Sequence, residues 1–347
     1  MSMKCQHLFM KKNSILIILS LAVLSPVFGQ TSEIKFVDYP ASKKVDVTIN
    51  GKLFTSLLYA DSLKKHVLYP IIAKNGATVT RGYPIAPLAG DQVDHPHQIG
   101  LWFNYGDING ADYWNNSTKI DTNKKAYGTI KLNTIKELKE GRGKGELTVL
   151  STWYNPGGKA VLAEESKFVF REEGNTRLIE RSTTLKALTD VSFKDNKEGL
   201  FGMRVARQLE HPSEKAVGVY TQNGIEKLID KNIATGNYES SAGIKGEEVF
   251  GTRASWVKLS GRIDGKPLAV VLMDSPQNLN YPGFWMARGY GLFAINPLGA
   301  EFYTNGKERL NFALAKGRTV TFNYAVAIAD ELTKPEIQAL HKAFSLK

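Results

Sequence analysis

Lys44-Val45-Asp46-Val47-Thr48-Ile49-Asn50-Gly51-Lys52-Leu53-Phe54-Thr55-Ser56-Leu57-Leu58-Tyr59 decides the fold class. Val45, Val47 and Ile49 alternate with polar residues, so one face of an extended segment is apolar. Asn50-Gly51 then supplies two positions that tolerate positive φ, and a second apolar run follows. Asn-Gly between such runs is the strongest short-range hairpin signal. The grammar repeats along the chain. Glu146 to Tyr154 predicts a strand closed by Asn155-Pro156-Gly157-Gly158, and Lys167 to Arg171 leads to a turn at Glu173-Gly174-Asn175. Arg177, Ile179, Arg181, Thr183 and Leu185 alternate again, and further strands are predicted at Trp256–Leu259, Leu268–Met273, Gly291–Asn296 and Val320–Ala327. Turns at short spacing without intervening helices predict an all-β protein, a large antiparallel β-sandwich. One helix is predicted, at the C-terminus. There Thr333 and Glu336 form a capping box, Pro335 sits in the first turn, and Ile337, Leu340 and Phe344 share a face. Asp230 to Gly251, rich in Gly, Ser and charge, reads as a long surface excursion.

The first 29 residues read as a signal peptide. Lys4, Lys11 and Lys12 precede an apolar stretch, Ile15 to Leu24, that is too short to span a bilayer. Cleavage is expected after Gly29, leaving residues 30–347 as a single β-sandwich domain. Cys5 precedes the apolar stretch, so it is not a lipid-bearing cysteine, and it is the chain's one cysteine. The mature chain thus has no disulfide and no thiol chemistry, and its stability comes from a hydrophobic core. Its formal charge falls from +11 to +8 with the loss of the three lysines. The remaining charge is spread out, with denser stretches at Lys119–Lys144 and Lys227–Lys258. No basic helix or arginine-rich arm appears, which argues against nucleic acid as a partner. A solvated surface and attraction for acidic polysaccharide are the two readings of that charge. No later apolar run is long enough for membrane insertion after signal cleavage, so an exported protein, periplasmic or secreted, is expected.

The chemistry concentrates in Asp94 to Trp114. Those 21 residues hold two of six histidines, three aspartates, two tryptophans and three glycines. Such a mixture is poor core material, and it suits a sugar ring, which offers an apolar face and a polar rim. His95 and His97, one residue apart around Pro96, share a side of an extended segment. They can act as acid and base near neutral pH. They can also bind a metal if further ligands converge, or serve a structural loop. Asp107-Ile108-Asn109-Gly110 has turn chemistry and lacks the acids of a calcium loop. Asp94, Trp102, Asp107, Asn109, Asp112 and Trp114 are candidate substrate-binding residues, with Trp114 as core the competing reading. Glu198 is a candidate catalytic carboxylate, with a surface Lys197–Glu198 pair the competing reading, and Arg81, Lys197, Arg204, Arg288 and Asn296 are further candidate substrate-binding groups. No nucleophile elbow, phosphate loop, dinucleotide fingerprint or zinc-helix motif occurs, so no cofactor and no metal are expected.

From His66 to Ala327 the chain resembles the PmoA-like family of exported bacterial proteins of unknown function. The resemblance rests on Tyr69-Pro70, Thr80-Arg81-Gly82-Tyr83-Pro84, Asp94-His95-Pro96-His97 through Trp114, Lys197-Glu198-Gly199-Leu200-Phe201, and Tyr290-Gly291-Leu292-Phe293 with Asn296-Pro297-Leu298-Gly299. The chain departs from that pattern at Gln98, Ser275 and Met286, where the family often has histidine. A methane oxygenase subunit would need several long apolar spans, which this chain lacks. By fold-level analogy the sandwich would be of the large aldose-epimerase-like type.

Together these readings predict an exported protein that binds a sugar or oligosaccharide and transforms it, as a hydrolase, lyase or epimerase, by acid/base chemistry at His95, His97 and Glu198. The motif blocks, Arg81, His95, His97, Glu198, Arg204 and Arg288, are expected to meet at one cleft. The alternatives are a non-catalytic glycan-binding protein using the same groove and a metal-dependent enzyme built on the His95/His97 pair.

Overall fold

The structure is a computed structural model that describes residues 1, 31–229 and 232–346. The signal-peptide segment lies outside the described residues apart from Met1. Two large antiparallel sheets, with two further two-stranded ones, organise the described residues after Gln30. The nine-stranded sheet runs in the order Phe284–Ala287, Leu292–Asn296, Gly199–Arg204, Leu101–Tyr105, Val67–Ile71, Lys52–Leu58, Lys44–Ile49, Glu33–Tyr39 and Gly141–Arg142. The eight-stranded sheet runs Asn237–Ser240, Trp256–Ile263, Lys266–Asp274, Thr319–Ala329, Thr176–Ala187, Ala160–Glu173, Gly145–Tyr154 and Thr129–Lys139.

The Asn50-Gly51 hairpin forms as expected, with φ of 51° and 73° at its two turn residues and Ile49 opposite Lys52. Strand periodicity then builds the core. Leu101, Phe103 and Tyr105 of one strand, and Phe201, Met203, Phe293 and Ile295 of its neighbours, face Phe168, Phe170, Ile179, Leu272, Phe322 and Tyr324 of the other sheet. Phe201 stacks on Tyr324 at 4.9 Å, which ties the two layers together. The all-β sandwich expected from the sequence is therefore present. The C-terminal helix, Lys334–Ser345, carries the capping box at Thr333 and Glu336. It lays Ile337 and Phe344 on Trp256, Val271, Met273 and Ala327, covering the outer face of the eight-stranded sheet.

The described part of the excursion, 232–251, is more structured than its composition suggests. Asn237–Ser240 adds an edge strand to the eight-stranded sheet through Trp256–Ile263, and Tyr238 on it is buried. One apolar ring between glycines is too short a pattern to register as a strand in sequence.

The outer face of the nine-stranded sheet positions the candidate site. Trp102 and Asn104 alternate with the core residues Leu101, Phe103 and Tyr105, so they point away from the other sheet. Trp102 packs there with Trp114, Met286, Leu292 and Ala294 in a separate apolar cluster. The loops 81–100 and 106–128, the segment 196–198 and the short helix Ala300–Tyr303 belong to this side of the sheet.

Candidate functional site

The loop before Leu101–Tyr105 is held by two arginines. Arg81 Nη1 donates to Asp94 Oδ1 at 2.6 Å and to the carbonyls of Gln92 and Asp94 at 2.9 Å. Its Nη2 donates to the carbonyls of His95 and Gln98 at 3.0 and 3.1 Å. Arg204, on a central strand, donates to the same Asp94 Oδ1 at 2.7 Å and to Gln98 Oε1 at 2.7 Å. Both guanidinium side chains are fully buried. Their planar forks fit this work, since one arginine can satisfy several oxygens in fixed geometry. Burial of Asp94 opposes its charge, but the His95 hydrogen bond and the Arg204 and Arg81 charges outweigh it and hold the carboxyl well below the usual range.

The second oxygen of Asp94 meets His95 Nδ1 at 2.6 Å. His95 has φ of +41°, a left-handed conformation uncommon for a non-glycine residue, and its ring stacks on Tyr290 at 4.9 Å with planes 3° apart. The ring is 42% exposed. With Nδ1–H directed at the carboxylate, Nε2 is left to meet solvent or ligand. His97 lies beside it, with ring centroids 5.7 Å apart, but is buried, and its Nε2 has no hydrogen-bond partner. Burial, followed by the charges of Lys65 and His95, keeps His97 well below its ordinary 6.5, so the ring is neutral at pH 7.

His97 and Glu198 line one open cleft of about 750 Å³, together with Asn115, Lys124, Tyr127 and Phe302. Glu198 is presented by a segment that the buried Asn296 fastens, its Nδ2 donating to the carbonyls of Asn196 and Lys197 at 2.8 and 2.9 Å. Lys197 Nζ pairs with Glu198 at 2.9 Å. Arg288 and Tyr290 line a second cleft of about 290 Å³ with Arg207, Glu210 and His211. The Tyr290–His95 stack links that cleft to the histidine loop. The expected single pocket is thus two clefts joined by one loop. Arg81 and Arg204 sit beneath that loop, and contact its backbone and Asp94 instead of facing open space.

Several candidates have other work. Trp102 and Trp114 are both fully buried and pack edge to face at 5.3 Å, so neither offers a face to a ligand. Period-two alternation explains Trp102, and Tyr127 and Phe302, 46% exposed, are the aromatics of the histidine cleft. Asp107 Oδ1 accepts from Gly110 N at 2.9 Å within its own turn. Asn109 bonds Asp190 and Ser192, which anchors that turn to a neighbouring strand away from the cleft. Asp112, buried, accepts from Asn115 and from Lys125 Nζ at 3.1 Å and so fixes the loop that carries the cleft's far wall. Among the described residues no three His, Cys, Asp or Glu side chains gather in a way that could hold a metal ion. No helix among them is long and apolar enough to cross a membrane.

Residues 44–342 match the family of unknown function DUF6807. The chain belongs to that family. The match corrects the resemblance drawn from the Asp94–His97 and Tyr290–Gly299 blocks, because the family found is DUF6807 and not the PmoA-like one. Short motifs shared in order can belong to more than one family, and the match over nearly the whole chain decides between them. Curated proteins give no match. Among solved structures, a galactose mutarotase-like protein from Clostridium acetobutylicum is 12% identical, with 87% of this chain and 99% of that one covered at a TM-score of 0.40. The galactosidase domain of an α-galactosidase–sucrose kinase is 10% identical over 85% of this chain and 42% of that one, with a TM-score of 0.39. The GH36 α-galactosidase AgaA from Geobacillus stearothermophilus is 10% identical over 85% and 40%, also at 0.39. The DUF6807 chain spans about two fifths of the length of these two galactosidase chains.

Three residues around this candidate site were not among the candidates read from the sequence. Gln98 stands where the other family pattern has histidine, and its amide oxygen receives Arg204. Glu210, buried and pushed up to about 7 by burial against the pull of Arg204 and Arg207, lines the Arg288 cleft. Lys65, also buried, donates to the His97 carbonyl at 2.7 Å. A lone lysine or glutamate in a strand-rich sequence carries no local signal of burial, so neither Lys65 nor Glu210 could have been found by pattern.

Proposed function

We propose that this protein binds a sugar or oligosaccharide across the His95–His97 loop and transforms it by proton transfer. The Asp94–His95 pair carries the reading. A half-exposed imidazole whose Nδ1 is fixed by a carboxylate, itself clamped by two buried arginines, is an oriented acid/base group. The adjoining cleft supports a sugar as the ligand. It sets the aromatic surfaces of Tyr127 and Phe302 beside the polar groups Asn115, Lys124 and Glu198, the combination that a pyranose ring uses. His97 lines the cleft as an uncharged imidazole, and Glu198 is the carboxylate beside it. Abstraction of a proton beside a carbonyl, whose oxygen takes the electron pair, as in a lyase or epimerase, and hydrolysis of an acetal, with a proton delivered to the leaving oxygen and water added at the anomeric carbon, both use such a set. We further propose that the protein works outside the cytoplasm, supported by the signal-like Lys4–Gly29 segment.

A glycan-binding protein without turnover is the second reading, favoured by the Lys197–Glu198 ion pair, which occupies the carboxylate. Calorimetry with a glycan panel, alongside a product assay on the wild type and His95→Ala, separates the two. Turnover should fall by a factor of about 10²–10⁴ in His95→Ala while binding persists. A wild type that binds glycan without forming product, with His95→Ala binding equally well, would leave the binding protein. Absence of binding to every glycan would end the sugar reading.

A further inference from the structure

A third cleft, of about 310 Å³, adjoins the histidine cleft and shares Lys119 with it. The volume is at the lower end for small-ligand sites. Its apolar floor includes Leu58, Leu63 and Ile99, and four lysines line it, Lys43, Lys64, Lys65 and Lys119, with no carboxylate among the lining residues. Lys43 is already engaged by Asp61 at 2.5 Å. Lys65 differs from the others because it is 4% exposed, and among the described residues no carboxylate lies within salt-bridge distance of it. Its ammonium donates to the His97 carbonyl and lies 5.4 Å from the Trp102 ring. Asp112, the carboxylate that acts on it electrostatically, is taken up by Asn115 and Lys125. The nearby indole nitrogens of Trp102 and Trp114 are also buried donors without acceptors. An ammonium buried among donors is costly unless an anion reaches it.

We propose that this cleft holds an anionic group, a carboxylate or a sulfate, of an acidic saccharide, with Lys65 at its floor and Lys64 and Lys119 at its rim. The inference rests on the sugar reading above and deepens it. Leu58, Leu63 and Ile99 take the apolar face of the charged sugar unit, and the lysines take its anion. Lys119, common to both clefts, then places the next unit of the chain toward His97 and Glu198. Lys65 has a further consequence. Its contact with the His97 carbonyl ties occupancy of the anion subsite to the position of the histidine loop.

The test is calorimetry with three short oligosaccharide sets of equal length: neutral, uronate-containing and sulfated. Wild type, Lys65→Met, Lys119→Gln and, as a control lysine outside the lining of either cleft, Lys159→Gln are compared. Acidic ligands should bind at least tenfold more tightly than neutral ones, a gain expected for one charge-assisted hydrogen bond. Lys65→Met and Lys119→Gln should remove most of that preference, and Lys159→Gln should keep it. Preference for uronate over sulfate, or the reverse, identifies the anion. Equal affinity for neutral and acidic ligands would overturn the proposal and leave the sugar reading intact. So would an acidic preference that survives in both Lys65→Met and Lys119→Gln. If no set binds, the sugar reading itself fails, and this inference with it. Should Lys65→Met fail to fold, Lys119→Gln, at an exposed position, decides alone.

Discussion

Replacing Asp94 by Asn tests the clamp on which the site depends. In the native protein Asp94 Oδ1 receives Arg81 at 2.6 Å and Arg204 at 2.7 Å. Hydrogen bonds to charged groups contribute about 1.5–3 kcal/mol each, so two set a ceiling of about 3–6 kcal/mol. Three offsets lower it. Arg81 keeps its bonds to the carbonyls of Gln92, Asp94, His95 and Gln98, and Arg204 keeps Gln98 Oε1 and has Glu210 Oε1 at 3.8 Å. An Asn oxygen can also still accept one bond. The expected loss is about 2–4 kcal/mol, near the low end for removing one partner of a buried ion pair. Urea unfolding reads it as a lower midpoint at unchanged slope. The pH dependence supplies a second check. The folded carboxyl is held below its ordinary value, so its stabilisation is present above the unfolded pKa, about 3.9, and is lost as pH falls. The gap between wild type and Asp94→Asn should therefore narrow below about pH 4. A gap under about 0.5 kcal/mol at pH 7, or one unchanged on acidification, would refute the clamp.

Trp102→Ala, in the apolar cluster under the loops, should cost about 3–5 kcal/mol of stability and leave the affinity of folded protein for glycan nearly unchanged; normal stability with weakened binding would put the ring at the ligand. Glu164, buried and held at about 2 against its burial by His66 and Arg181, accepts from Trp153 at 2.7 Å and Arg181 at 2.9 Å. Glu164→Gln should lose about 3–5 kcal/mol in thermal unfolding by stranding the Arg181 charge, and a change under about 0.5 kcal/mol would show that charge to be satisfied elsewhere. Burial pulls Lys65 from its ordinary 10.5 down to about 7, so the unfolded chain binds the extra proton between those values and folding is penalised as pH drops from about 10.5 to 7. Lys65→Met removes that penalty, so its stability relative to wild type should rise over that window on lowering pH and level off below about 7. At about 1.4 kcal/mol for each pH unit the change is at most about 5 kcal/mol; a pH-independent difference would show the amine to be solvated.

What the sequence determined by itself is the architecture. Val45, Val47 and Ile49 running into Asn50-Gly51, and the alternation from Arg177 to Leu185, are set by neighbours two residues apart, and the pleat turns that spacing into faces without reference to the rest of the chain. The same holds for the capping box at Thr333 and Glu336, whose bonds span three residues. The histidine block stood out in sequence as a candidate site because its residue types are unusual for a core, although Trp102 and Trp114 within it are buried in an apolar cluster. Which of its side chains meet solvent was decided by tertiary structure alone. Trp102 is buried because the loops cover the outer face of its sheet, and no local pattern encodes that cover. Arg81 and Arg204 lie 123 residues apart in the chain and share one oxygen of Asp94. Lys65 and Glu210 became unusual only when folding removed their water, since a charge shows its cost through its surroundings and not through its neighbours in sequence.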